Sequence, residues 1–149
     1  MTERFFIAWD PASQPDFSAI CSVGHTDGAP RFDVVDLYRF PKGTPYPDQI
    51  RHILGMIEAL RERRIEADLI IDATGVGRPL VDLLRQAGLR PLAVMITAGL
   101  HSTFDKESGF YHVVKTDLVT QLVVKVQMKE LKVADGLELW PILRTELQN

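Results

Sequence analysis

Two aspartates close apolar runs in this chain. Asp10 follows Phe5-Phe6-Ile7-Ala8-Trp9, and Asp72 follows Ala67-Asp68-Leu69-Ile70-Ile71. Carboxylates at the ends of two adjacent central strands can approach within a few ångströms. Like charges that close repel unless one is protonated or a cation lies between them. The natural cation is a hard divalent ion with oxygen ligands, Mg²⁺ or Mn²⁺. Two such ions about 3.5–4 Å apart can activate a water and stabilise the leaving oxygen of a phosphodiester. Each aspartate also has a plainer reading, Asp10 as a turn residue before Pro11 and Asp72 as a cap for the helix that begins near Pro79.

Other chemistries fit less well. Thr74-Gly75-Val76-Gly77 follows a strand, but Leu80 stands where a dinucleotide fingerprint needs its third glycine, and no acid follows at the ribose-binding distance. No G-x-x-x-x-G-K-[ST] motif occurs, so no nucleotide cofactor is expected. His25, His52, His101 and His112 lack metal-ligand spacing, and no Ser or Cys sits in a nucleophile elbow. Cys21 is the only cysteine and alternates with apolar positions, as a core residue does. Most basic residues read as solvated helix faces. Lys106 and Lys115 border the loop near the presumed acids and are candidates for phosphate contacts.

The elements that must hold Asp10 and Asp72 follow from the hydrophobic pattern. Arg4–Trp9, Phe17–Val23 and Arg31–Phe40 read as three strands on short loops, an antiparallel meander. Residues 12–16 form the first turn, and Asp27-Gly28 marks the second. After the breaker segment Pro41–Pro47, Asp48 is a plausible N-cap, and Ile50, Ile53, Leu54, Ile57 and Leu60 recur with helical period. Ala67–Ile71 is a buried strand. Leu80, Val81, Leu83 and Leu84 make the apolar face of a second helix, which Gly88 ends. Pro91–Ile96 is another buried strand, and 97–111 reads as a long polar loop, the most mobile part of the chain. Thr116 caps a helix with Leu118, Val119, Leu122, Val123 and Val126 on one face. Lys132-Val133 extends briefly, and Leu139–Leu147 forms a last helix. The order β-β-β-α-β-α-β-α-α predicts an α/β fold of the ribonuclease H-like kind, a mixed sheet with helices on both faces.

Composition agrees with a single domain over residues 1–149. The 149 residues are 46% hydrophobic and 25% charged, ordinary for a globular chain. Seventeen basic against 20 acidic residues give a net charge of −3, unlike a sequence-independent nucleic-acid coat. One cysteine gives no disulfide framework. No apolar run reaches the roughly 18 residues of a membrane span, and Met1-Thr2-Glu3-Arg4 does not open a signal peptide. An intracellular protein is expected.

With these residues in place, the chain resembles the nuclease domain of the bacteriophage terminase large subunit. Asp10-Pro11 followed by Asp16-Phe17-Ser18-Ala19-Ile20 is similar to that domain's opening. Leu69-Ile70-Ile71-Asp72-Ala73-Thr74-Gly75-Val76-Gly77, with Leu80-Val81-Asp82-Leu83-Leu84 after it, is similar to its second acidic motif and is the most specific part of the likeness. Val114–Val119, Lys129–Val133 and the Leu-Arg-x-Glu-Leu of Leu143–Leu147 extend it along nearly the whole chain.

The resemblance implies Asp10 and Asp72 as catalytic metal ligands and Asp16 as a further ligand or as an acid that supports the ligands. It also implies Mg²⁺ or Mn²⁺, two ions in the complete family site, and a double-stranded DNA substrate cut during genome packaging. A phage or prophage protein of the host cytoplasm would result, with a terminase ATPase domain and a portal ring as partners. The family's third carboxylate lies in an Asp-Asp-rich helix beyond the Leu-x-x-Glu-Leu segment, and this chain ends before it. Asp105 or Glu107 is the substitute available within the chain. Two alternatives share the fold: a truncated or inactive assembly module, and a Holliday-junction resolvase-like nuclease, which needs a complete acid set.

Overall fold

The structure is a computed structural model that describes residues 3–12 and 16–149. Part of the turn expected over 12–16 lies outside the described residues. Strands β1 (Glu3–Asp10), β2 (Ala19–Thr26) and β3 (Phe32–Arg39) form the antiparallel meander. Asp27-Gly28 turns β2 into β3. Gly28 takes φ +82°, and the Ala29 amide donates to the Thr26 carbonyl at 3.0 Å. A glycine is favoured there because a Cβ clashes in the left-handed region.

Helix α1 (Tyr46–Glu62) starts earlier than Asp48. Pro45 is its N-cap, Pro47 occupies the first turn, and Asp48 pairs with Arg51 along the helix surface. The prolines set the entry because their fixed φ suits a helix start. Strand β4 (Glu66–Asp72), helix α2 (Gly77–Gln86) and strand β5 (Leu92–Thr97) follow. Gly88, at φ +87°, lies just past the end of α2.

Residues 97–111 are not one long loop. They hold β6 (Thr103–Asp105) and begin β7 (Phe110–Val114), an antiparallel hairpin at the sheet edge. Phe104 and Tyr111 meet across it with ring centroids 4.6 Å apart. The polar residues between them are turn chemistry. The Asp105 carboxylate accepts from the Glu107 amide and the Ser108 hydroxyl, and Gly109 turns at φ +75°.

Helix α3 (Lys115–Gln127) springs directly from β7. Val114 occupies its N-cap, and Thr116 lies inside the first turn rather than capping it. Strand β8 (Leu131–Val133) and helix α4 (Trp140–Gln148) complete the chain. The eight strands form one sheet in the order β6-β7-β5-β4-β1-β2-β3-β8.

The core lies on one face of this sheet. Register places Ile7 beside Leu69, Trp9 beside Ile71, and Ile20 opposite Trp9, so their side chains share that face. Ile50 and Ile53 of α1 and Leu80, Val81 and Leu84 of α2 pack on it. Each fully buried aliphatic side chain contributes roughly 1.5–3 kcal/mol. Leu83 points away and is 40% exposed, which corrects its expected place on the apolar face. The crossovers β3-α1-β4 and β4-α2-β5 step the same way along the sheet, so right-handed connection puts both helices on one face. The β7-α3-β8 connection steps back, and the same rule carries α3 over the other face.

There the apolar residues of α3 remain uncovered. Leu118, Val119, Leu122, Val123 and Val126, expected to face a core, are all exposed. The face beneath α3 is interrupted by the Arg4–Asp68 ion pair at 2.8 Å and by the terminal aspartates of β1 and β4. Among the described residues no helix is long and apolar enough to cross a membrane.

Candidate active site

β1 and β4 are neighbours and run parallel, with Trp9 level with Ile71. The next residues, Asp10 and Asp72, therefore stand side by side at the ends of their strands, about 4.8 Å apart along the hydrogen-bonding direction. Because side chains alternate along a strand, burying Trp9 and Ile71 in the core turns both aspartates to the opposite face. Asp10, Asp16 and Asp72 line one cleft of about 340 Å³ with Phe17 and the Gly75-Val76 turn. A larger hollow of about 510 Å³ lies around Arg85 and Arg90, at the end of the sheet where β5 begins, and contains no carboxylate.

The Asp72 carboxylate is fixed by its own turn. Its Oδ1 accepts from the Thr74 amide at 3.0 Å and from the Thr74 hydroxyl at 2.5 Å. The same hydroxyl oxygen accepts from the Ile96 amide of β5 at 2.9 Å. One oxygen of Asp72 is thereby tied to two strands. The sequence places Thr74 in the turn but assigns it no role toward Asp72, although Asp-Ala-Thr has the spacing of an Asx turn.

Asp10 is electrostatically strained. Its carboxyl is pushed above the ordinary aspartate range, first by loss of hydration where the strand ends crowd it, then by the charges of Asp72 and Asp16. A cation between these carboxylates relieves the like-charge repulsion. The donor set of hard carboxylate oxygens fits Mg²⁺ or Mn²⁺. Among the described residues no three His, Cys, Asp or Glu side chains converge to enclose a cation, so Asp16 stands in the cleft without completing a three-carboxylate cage.

The remaining candidates lie around β7. Lys115 opens α3 at the end of β7, on the same edge of the sheet as Asp72. Lys106 sits in the β6–β7 turn, which leads into Phe110, a residue in the cross-strand row of Ala93 and Ile71. Asp105 and Glu107 share that turn, and the hydrogen bonds of Asp105 to Ser108 and Glu107 hold its carboxyl below the usual range. None of these three is among the residues that line the cleft.

Basic groups that the sequence reading passed over lie nearer. Arg39 ends β3 in the same cross-strand row as Asp10, through Ala19. Its guanidinium sits over the Phe17 ring at 4.4 Å from the centroid, and the Lys42 ammonium sits over the same ring at 4.7 Å.

No family model matches this sequence, and no curated protein matches it. Solved structures do. The human cytomegalovirus terminase nuclease domain, soaked with Mn and inhibitor-bound, superposes with a TM-score of 0.60 at 16% identity, covering 99% of this chain and 74% of that one. The Mn-soaked domain gives a TM-score of 0.62 at 17% identity, covering 99% of this chain and 72% of that one. A further structure of the same domain gives 0.55 at 15% identity, over 91% and 66%. At this identity the likeness establishes the fold, a ribonuclease H-like mixed sheet.

Proposed function

We propose that this chain is a divalent-metal-dependent nuclease domain that hydrolyses phosphodiester bonds of double-stranded DNA. The observation that carries the reading is the pair Asp10 and Asp72, side by side at the ends of adjacent parallel strands. The structural neighbours, cytomegalovirus terminase nuclease domains studied with Mn, support both the activity and the metal class.

Asp10 and Asp72 would hold the cation, with Asp16 across the cleft as a further ligand. Bound there, Mg²⁺ or Mn²⁺ supplies an activated water and charge neutralisation at the leaving oxygen, with two ions in the complete arrangement. The chain's own residues prepare for this. Thr74 holds the Asp72 carboxylate in one orientation, so little order is lost when a ligand arrives. Asp10 carries its proton more tightly than an ordinary aspartate and must release it to act as a ligand. Lys115, at the same edge, offers a positive charge to the nucleic-acid backbone.

The terminase likeness extends the proposal to the cutting of phage or prophage DNA during packaging, in the host cytoplasm, alongside a terminase ATPase domain and a portal ring. A second reading has an observation of its own. The described residues lack a three-carboxylate cluster, which favours a packaging or assembly module of the same fold that docks without cutting. A resolvase-like activity shares the same deficit.

Supercoiled plasmid incubated with Mn²⁺ separates these readings. The nuclease reading predicts nicking by the wild type and none by Asp10→Ala or Asp72→Ala. Wild-type protein that binds duplex DNA yet leaves it supercoiled at every Mn²⁺ and Mg²⁺ concentration supports the non-cutting module instead.

A further inference from the structure

We infer that Arg39 and Lys42, held over the ring of Phe17, form a phosphate clamp that positions one strand of duplex DNA beside the Asp10–Asp72 pair; this rests on the nuclease reading above. Three observations converge. Phe17 lines the acid cleft itself, and at 39% exposure its ring is open to the cleft side and to the two cations. Two cations share its ring, at 4.4 and 4.7 Å from the centroid. Neither forms an ion pair with a carboxylate among the described residues, so both charges remain open to a phosphate.

The placement is also specific. Arg39 lies two strands from Asp10 in the same row, about 10 Å away across the sheet. That distance is of the order of the separation between nearby phosphates of one strand. An acidic cleft repels a polyanion, so a nuclease needs fixed positive charge close to its acids to draw the backbone in. Arg39 and Lys42, braced on one ring, supply that charge with little loss of side-chain freedom on binding. Each cation–π contact at an exposed site is modest in itself. Its value lies in aiming the charges at the cleft rather than in stabilising the fold.

The test is fluorescence anisotropy with a labelled mixed-sequence duplex in EDTA across a salt series, for the wild type, Arg39→Gln/Lys42→Gln and Phe17→Leu, with plasmid nicking in Mn²⁺ alongside. A conservative Arg39→Lys variant and melting curves control for folding. Each lost phosphate contact lowers the salt slope by about 0.9, which weakens binding by about tenfold per contact at 0.1 M salt. The double glutamine variant should therefore show a slope smaller by nearly two. Phe17→Leu should show an intermediate loss, and Arg39→Lys should bind almost as the wild type does. A wild type that binds and nicks while the double variant binds with the same affinity and slope overturns the clamp and leaves the nuclease reading intact. Loss of binding in the double variant from a wild type that never nicks supports the clamp and counts against cleavage. A wild type that neither binds nor nicks overturns both.

Discussion

At the scale of single residues, Asp10 and Thr74 carry the sharpest expectations. The carboxyl of Asp10 is held above its ordinary range in the metal-free protein, so its ionisation costs folding stability. The folded state then binds this proton more tightly than the unfolded chain does. Stability is therefore lost as pH rises from the usual aspartate range through the raised value. Asp10→Asn, which has no charge to pay for, should melt above the wild type at pH 7 in EDTA. The gain should vanish at pH 3, where both proteins are neutral at this position, as calorimetric melting across pH would show. Thr74 acts through Asp72. Thr74→Val removes the hydroxyl that bridges Asp72 and Ile96 while keeping the shape. Mn²⁺ affinity should fall by about 10–100-fold, the usual effect of losing a partner that orients a metal ligand. An unchanged affinity by titration would show that the turn alone fixes the carboxylate.

At the scale of elements, the joint between β1 and α1 decides whether Asp10 is correctly placed. The Trp9 indole N–H donates to the Gln49 side-chain oxygen at 3.0 Å, and the Gln49 amide donates to the Thr44 carbonyl at 2.9 Å. Gln49 is buried, so Gln49→Leu strands a buried indole N–H and should cost about 1–3 kcal/mol in urea unfolding. Leu84→Ala, at a fully buried position of α2, should cost about 2–5 kcal/mol in the same experiment. The core-facing elements were legible in the sequence because Ile7, Trp9, Leu69 and Ile71 follow the strand period and Ile50 and Ile53 the helical one. The β6–β7 hairpin was not, because Asp105, Ser108 and Gly109 spend their polarity on one another and so resemble a loop. Strand β8 is only three residues long and pairs with β3, far away in sequence, which no local pattern reveals. Within the site, Asp10, Asp16 and Asp72 were legible as acids beside turns. Arg39 and Lys42 were not, because their role depends on a cross-strand row and a ring.

At the scale of the whole molecule, two faces of one sheet do different work. One face, with α1 and α2, supplies the stability. The other, beneath α3, holds the acids and is only partly covered. The exposed Val119 and Val126 of α3 accordingly contribute little to folding. Val119→Ser and Val126→Ser should each change unfolding free energy by less than about 0.5 kcal/mol, the ordinary effect of a surface substitution. A larger loss in chemical denaturation would mean that the α3 stripe is packed in solution. The central claim is that Asp10 and Asp72 act together on one divalent cation. Calorimetric titration of Mn²⁺ into the wild type, Asp10→Asn and Asp72→Asn tests it most directly. A binding event in the wild type that disappears in each single variant is the predicted result; undiminished affinity in either variant, or no binding in the wild type, would contradict it.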